Sequence, residues 1–184
     1  DNNLFVRGVE QQKWDALRNH PRHPLQNRAI QSAYPPGSVF KLLMISAALE
    51  QEVFHPDKTV YCPGVFRLGR RLFRCWKHYG HGWVDMHEAI KQSCDVYFYS
   101  LGKEMGVDMI SAYALQNGFG SRTGIALPNE TRGVIPTREW KRRRFGASWQ
   151  GGETINMSIG QGYTLVTPLQ VARFVSALAN GGQL

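Results

Sequence analysis

The sequence comprises 184 residues, 42% of them hydrophobic, with a formal net charge of +8. That is enough apolar material for one sizeable core, and a single domain is the expectation. No stretch approaches the roughly 18 consecutive apolar residues of a membrane span and no signal peptide is visible, so the segment itself reads as soluble. In chain order, periodicity and cap residues predict helices over about Gln11 to Arg18, Ser38 to Gln51, Met86 to Ser93, Val96 to Met105, Met109 to Gln116 and Pro168 to Ala179. The last is the most fully marked: Thr167 is the cap, Pro168 takes the first helical position, Gln170 completes a capping box, and Asn180-Gly181 ends it. Glycine and charge dominate Val60 to Val84 and Gly118 to Gly152, where long loops or short strands are expected. Apolar–polar alternation is scarce, so the chain reads as a helical, loop-rich lobe.

The stretch Tyr34-Pro35-Pro36-Gly37-Ser38-Val39-Phe40-Lys41 opens into the apolar run Leu42 to Leu49. A rigid Pro-Pro-Gly turn delivers Ser38 to the first turn of a buried helix, with Lys41 three residues later on the same face. A serine hydroxyl becomes a nucleophile when a base takes its proton, and an amine serves as that base in its neutral form, which apolar surroundings favour. The helix start adds backbone N–H groups suited to a developing oxyanion. The Ser-x-x-Lys spacing alone is weak, since Ser100-Leu101-Gly102-Lys103 repeats it without a Pro-Gly turn. Ser93-Cys94-Asp95 follows a helix start at Asp85-Met86-His87-Glu88 and precedes the aromatic-rich run Val96 to Leu101. Such a turn can set a hydroxyl and a carboxylate at a cleft edge, or simply join two helices.

Together these segments resemble the transpeptidase domain of class B penicillin-binding proteins, most closely its elongation-specific Gram-negative branch, penicillin-binding protein 2. The resemblance also rests on Asn3-Leu4-Phe5-Val6, Pro24-Leu25-Gln26-Asn27-Arg28-Ala29, Gly80-His81-Gly82, Pro136-Thr137-Arg138-Glu139-Trp140-Lys141 and Ile159-Gly160-Gln161-Gly162, which run the length of the chain. The family's first motif maps onto Ser38 and Lys41 and its second onto Ser93 and Asp95. The third, Lys-Thr-Gly or Lys-Ser-Gly, does not occur before Gly181-Gly182-Gln183-Leu184.

The resemblance implies an α/β (α+β) fold of the penicillin-binding transpeptidase and serine β-lactamase kind, with the helical lobe dominant and the central sheet incomplete. Residues 1–184 would form a partial domain, inactive alone and lacking the strand of the third motif, an N-terminal anchor and a pedestal domain. The implied activity is D,D-transpeptidation of peptidoglycan stem peptides through a Ser38 acyl-enzyme, without a catalytic cofactor, at the periplasmic face of the bacterial inner membrane. Implied partners are stem peptides, β-lactams, a glycan polymerase and elongation-complex proteins, with membrane attachment through the anchor. A serine β-lactamase, a β-lactam sensor and a non-catalytic zinc-stabilised fragment are the alternatives. Gly160-Gln161-Gly162 is either cleft floor or a tight turn that needs glycine.

The three cysteines share one segment with a histidine, in the order Cys62, Cys75, His81, Cys94, or C-x12-C-x5-H-x12-C. Three thiolates and an imidazole make a tetrahedral set for structural zinc. The spacing lacks a short C-x-x-C pair, and a disulfide with one free thiol, or three unpaired core residues, are the rival readings. Adjacent side chains in the Ser93-Cys94-Asp95 turn tend to point to different sides, so a metal on Cys94 would brace the turn from behind. Positive charge is densest at Arg138 to Arg144 and again at Arg67, Arg70, Arg71 and Arg74. With no nucleic-acid fold in view, that charge reads as a solvated surface or as contact with peptidoglycan carboxylates or acidic lipid headgroups.

Overall fold

The apolar run after Ser38 folds into a helix buried on nearly every side, and the other elements gather around it. The computed structural model describes residues 2–6 and 8–184. After a 3-10 turn at Asn2–Phe5 come α1 (Gln11–Arg18), the short α2 (Arg28–Gln31), a second 3-10 turn at Gly37–Val39 and α3 (Phe40–Glu50). Strands β1 (Val60–Cys62), β2 (Val65–Leu68), β3 (Arg71–Arg74) and β4 (Gly82–Val84) follow. The chain continues through α4 (Met86–Lys91), α5 (Asp95–Gln116), α6 (Arg138–Phe145), α7 (Gly151–Met157) and α8 (Pro168–Ala179). This is a mixed α/β arrangement in which helices dominate.

Helix α3 buries Phe40, Leu43, Met44, Ala47 and Ala48 and packs on α5, which contributes Val96, Phe98 and Leu101. Helix α7 adds Ile155 and Met157 against α5, so α5 is the central helix of the core. The strands form two separate antiparallel pairs, β1 with β4 and β2 with β3. In the second, Phe66 lies opposite Phe73 and both rings pack on Tyr99 of α5, which leaves Val65, Arg67, Leu72 and Arg74 for the other face. Among the described residues no helix is long and apolar enough to cross a membrane.

The differences from the sequence expectation have local causes. Helix α3 begins at Phe40 because Gly37–Val39 winds as a tighter 3-10 turn. The two helices expected on either side of Met105 and Met109 are both present as the two halves of α5, separated at Gly106, whose φ 73 and ψ 164 are non-helical and open to glycine. Helices α6 and α7 lie in or beyond a stretch read as loop. Helix α6 is capped by the Thr137 side chain, which accepts from the Trp140 N–H, and stopped by left-handed Gly146; a Gln150/Glu153 capping box starts α7. Buried Lys141 of α6 pairs with Glu153 of α7 at 2.6 Å and ties the two together.

Gly160 fixes the entrance to α3. Its φ is 69, its carbonyl accepts from the Gly37 N–H at 3.0 Å, and a Cβ there would run into the Gly37 carbonyl and approach the Phe40 Cβ to 2.7 Å. Gly160→Ala is therefore expected to destabilise the protein by about 2–4 kcal/mol, combining left-handed strain with overpacking against backbone. Thermal melts of the two proteins test this, and coincident curves would mean the Ser38 turn yields freely.

Candidate active site and metal centre

The 3-10 turn presents Ser38 at the surface, and one turn later α3 carries Lys41 into the core. The Lys41 side chain is only 4% exposed, with its nitrogen 5.2 Å from the centre of the Phe98 ring. Its three hydrogen bonds go to the Ser93 carbonyl (2.9 Å), Ser93 Oγ (3.0 Å) and Asp95 Oδ1 (2.6 Å). An ammonium has three donors, so this set satisfies it completely. Ser93 Oγ in turn donates to Ser38 Oγ at 2.9 Å. The structure thus brings Ser38, Lys41, Ser93 and Asp95 together, with Ser93 as the link between the other serine and the amine rather than a bystander at the rim.

Asp95 sits in the first turn of α5, where the helix dipole favours a carboxylate, and its second oxygen accepts the backbone N–H of Trp76 at 3.0 Å. Ser93 adopts φ 52, a left-handed conformation that a non-glycine residue keeps only when its surroundings impose it. The Trp76 indole N–H donates to the Gln92 and Ser93 carbonyls at 3.1 Å each. Trp76 is the site residue that the sequence reading missed; its position directly after Cys75 is the one signal available. The cleft, of about 400 Å³, is lined by Ser38, Trp76, Ser93, Asp95, Ile159 and Gln161, so the Gly160-Gln161-Gly162 turn is both a constrained turn and part of the cleft wall.

Behind the Ser93-Cys94-Asp95 turn the four predicted ligands converge. The donor atoms of Cys62, Cys75, His81 and Cys94 all lie within 4.8 Å of one another, and His81 Nδ1 is 3.5 Å from the sulfurs of Cys62 and Cys75. A zinc tetrahedron with Zn–S bonds of 2.3 Å has edges of roughly 3.5–3.8 Å, so the donors have the spacing as well as the chemistry for that ion. All three thiols are free and buried. The hydrogen bond from Cys94 holds the Cys75 thiol down to about 4, while the same contact and burial push Cys94 up, so without a cation the cluster favours one thiolate, on Cys75, held by the Cys94 thiol. Each ligand comes from a different place: the end of β1, the residue after β3, the residue before β4 and the cap of α5. Cys94 faces away from the cleft and its two neighbours face into it, as expected.

Residues 2–184 match the family model of the penicillin binding protein transpeptidase domain. It is 44% identical over 186 residues to the peptidoglycan D,D-transpeptidase MrdA of Haemophilus influenzae, covering 100% of this chain and 29% of that protein. Penicillin-binding protein PBP2 of Pseudomonas aeruginosa, solved in complex with WCK 5153, superposes with a TM-score of 0.92 at 39% identity, covering 100% of this chain and 40% of that one. PBP2 of Helicobacter pylori, solved in complex with MreC, superposes with a TM-score of 0.89 at 40% identity, covering 95% and 33%. The chain spans less than a third of the length of the Haemophilus relative. With the family model matching along its length and Ser38 linked to Lys41 through Ser93, the chain belongs to the penicillin-binding protein transpeptidase family.

Proposed function

We propose that the protein is a peptidoglycan D,D-transpeptidase of cell-wall elongation that works through an acyl-enzyme on Ser38 and is a target of β-lactams. The observation that carries this reading is the unbroken chain from Lys41 Nζ through Ser93 Oγ to Ser38 Oγ at the cleft wall. In the resting arrangement every proton in that chain points toward Ser38. In the neutral form of Lys41, with one proton released to bulk water, the nitrogen lone pair is an acceptor; Ser93 turns its O–H to the amine and in turn accepts from Ser38. Ser38 Oγ then bonds to the carbonyl carbon between the two terminal D-alanines, its proton passing to Ser93 as that of Ser93 passes to Lys41. The C–N bond breaks, the proton returns along the chain to the departing D-alanine nitrogen, and the acyl-enzyme remains. An amine of a neighbouring stem peptide attacks the ester, gives its proton to the same relay and restores Ser38. Asp95 acts as a positioning residue, oriented by the Trp76 N–H.

Cys62, Cys75, His81 and Cys94 would hold a structural zinc ion, which supplies rigidity behind the second motif and no reacting atom. Because the chain spans 29% of the Haemophilus relative, the activity is assigned to the whole protein, with these residues as part of its transpeptidase domain, completed by the strand of the third motif. The reading includes an anchor in the inner membrane, a catalytic face in the periplasm, and partnership with a glycan polymerase and elongation proteins; the relative solved with MreC supports the last. Labelled penicillin tests the core of it: the full-length protein is expected to label covalently and Ser38→Ala to lose the label entirely. Undiminished labelling of the variant would remove Ser38 from the role of nucleophile.

A further inference from the structure

The β2–β3 hairpin and the loop after it carry a charge pattern that the acyl-transfer reading does not use. From Thr59 to Val84 there is no acidic residue, while Arg67, Arg70, Arg71, Arg74 and Lys77 supply five cations. Among the described residues none of the five meets a carboxylate at ion-pair distance. The strand register gives Arg67 and Arg74 the outer face, with Leu72 beside them, because Phe66 and Phe73 are committed to Tyr99 on the inner one. At the foot of that face is a depression of about 450 Å³ bounded by Val65, Arg74, Trp76 and His78. Trp76 also lines the cleft that holds Ser38, and it is 66% exposed although its backbone and indole N–H groups are both bonded. One indole therefore forms the wall between the reacting serine and a concave groove that carries Arg74, with Arg67 on the adjoining hairpin face.

We propose that this groove and the hairpin face above it are a subsite for a carboxylate on the peptide whose reacting carbonyl lies at Ser38, with Arg74 at the groove and Arg67 on the face as the charged contacts and Trp76 as the surface over which the peptide passes. The proposal rests on the transpeptidase reading and deepens it by assigning a specificity-determining site. A ligand leaving the cleft across Trp76 reaches unpaired guanidinium groups, which bind carboxylates by paired, charge-assisted hydrogen bonds. The groove is concave and opens beside the cleft. A lipid bilayer is met instead by a convex face, and pressing this one against a membrane would obstruct the route to Ser38.

The test uses the full-length protein and two synthetic stem peptides identical except that one carries a free side carboxylate and the other its primary amide. Wild type is expected to acylate from the carboxylate peptide with about tenfold higher kcat/KM, the worth of one good charge-assisted contact. Arg67→Gln/Arg74→Gln should erase the preference and Arg67→Lys/Arg74→Lys should keep most of it. Arg67→Gln alone, away from the cysteines, guards against misfolding of the double variant and should lower the preference at least twofold. Equal rates with the two peptides in wild type, or a preference that survives both glutamine variants, would overturn the subsite. So would glutamine variants that keep the preference but lose binding to phosphatidylglycerol vesicles, which would assign the patch to a membrane. Labelled penicillin separates the two levels: failure of wild type to label strikes the transpeptidase reading, whereas normal labelling without peptide discrimination strikes only the subsite.

Discussion

Replacing Lys41 by methionine is expected to slow covalent labelling of Ser38 by penicillin by about 10²–10⁴-fold, the range lost when a positioned general base is removed. Methionine keeps the unbranched stem and its packing against Phe98 but offers no lone pair to the Ser93 hydroxyl. The same change leaves the Asp95 carboxylate, 13% exposed, with the Trp76 N–H and no cation. Breaking one side of a buried pair costs about 3–5 kcal/mol, so the variant should also melt well below wild type. The two effects separate in Lys41→Met/Asp95→Asn, which removes the stranded charge. The double variant should recover much of the stability and none of the labelling rate, a strongly non-additive cycle in stability alone. Labelling of Lys41→Met at the wild-type rate would show that Ser93 finds its proton acceptor elsewhere.

How far the sequence discloses this site depends on the range of each interaction. Local rules serve well where an element is set by its own residues: α1 and α8 occupy the expected ranges, and the Thr167/Gln170 box forms as read. They fail at α6, where the cap Thr137, the basic last turn and Gly146 were all present but the abundance of glycine and charge suggested loops or short strands; Lys141 is buried there against Glu153, a tertiary partner that local reading does not supply. The break expected between Met105 and Met109 is present at Gly106, whose non-helical backbone separates the two halves of α5. At the site, the family resemblance singled out Ser38, Lys41, Ser93 and Asp95, which spacing alone left open, and the order of the cysteines and histidine singled out the four converging donors. Neither revealed that Ser93 stands between Ser38 and Lys41, because that order depends on how α3 and the cap of α5 meet. Trp76 was invisible for a related reason: its contacts reach 16 to 19 residues along the chain to Gln92, Ser93 and Asp95.

Loss of the metal centre is expected to disable the same cleft without altering any atom in it. Full-length protein prepared without metal-affinity resin should contain about one zinc ion per chain, and Cys62→Ser should lower that content and the melting temperature together. Cys62 is the right ligand to change because it lies on β1, apart from the catalytic residues, whereas Cys75 adjoins Trp76 and Cys94 stands between Ser93 and Asp95. The cluster of Cys62, Cys75, His81 and Cys94 meets the cleft at two points. One is the backbone of Cys94, which keeps Ser93 at φ 52, a conformation costing about 1–3 kcal/mol that relaxes once its support is gone. The other is Trp76, whose N–H orients the carboxylate that orients Lys41. Either displacement lengthens the Lys41–Ser93–Ser38 chain, and loss of such support typically lowers activity about 10–100-fold. The acylation rate of Cys62→Ser should fall by that factor, with a parallel change in tryptophan fluorescence from Trp76 that a purely remote loss of stability would not produce at temperatures far below the melt. Wild-type acylation in a variant shown by elemental analysis to have lost its zinc would mean that the second motif holds its shape unaided.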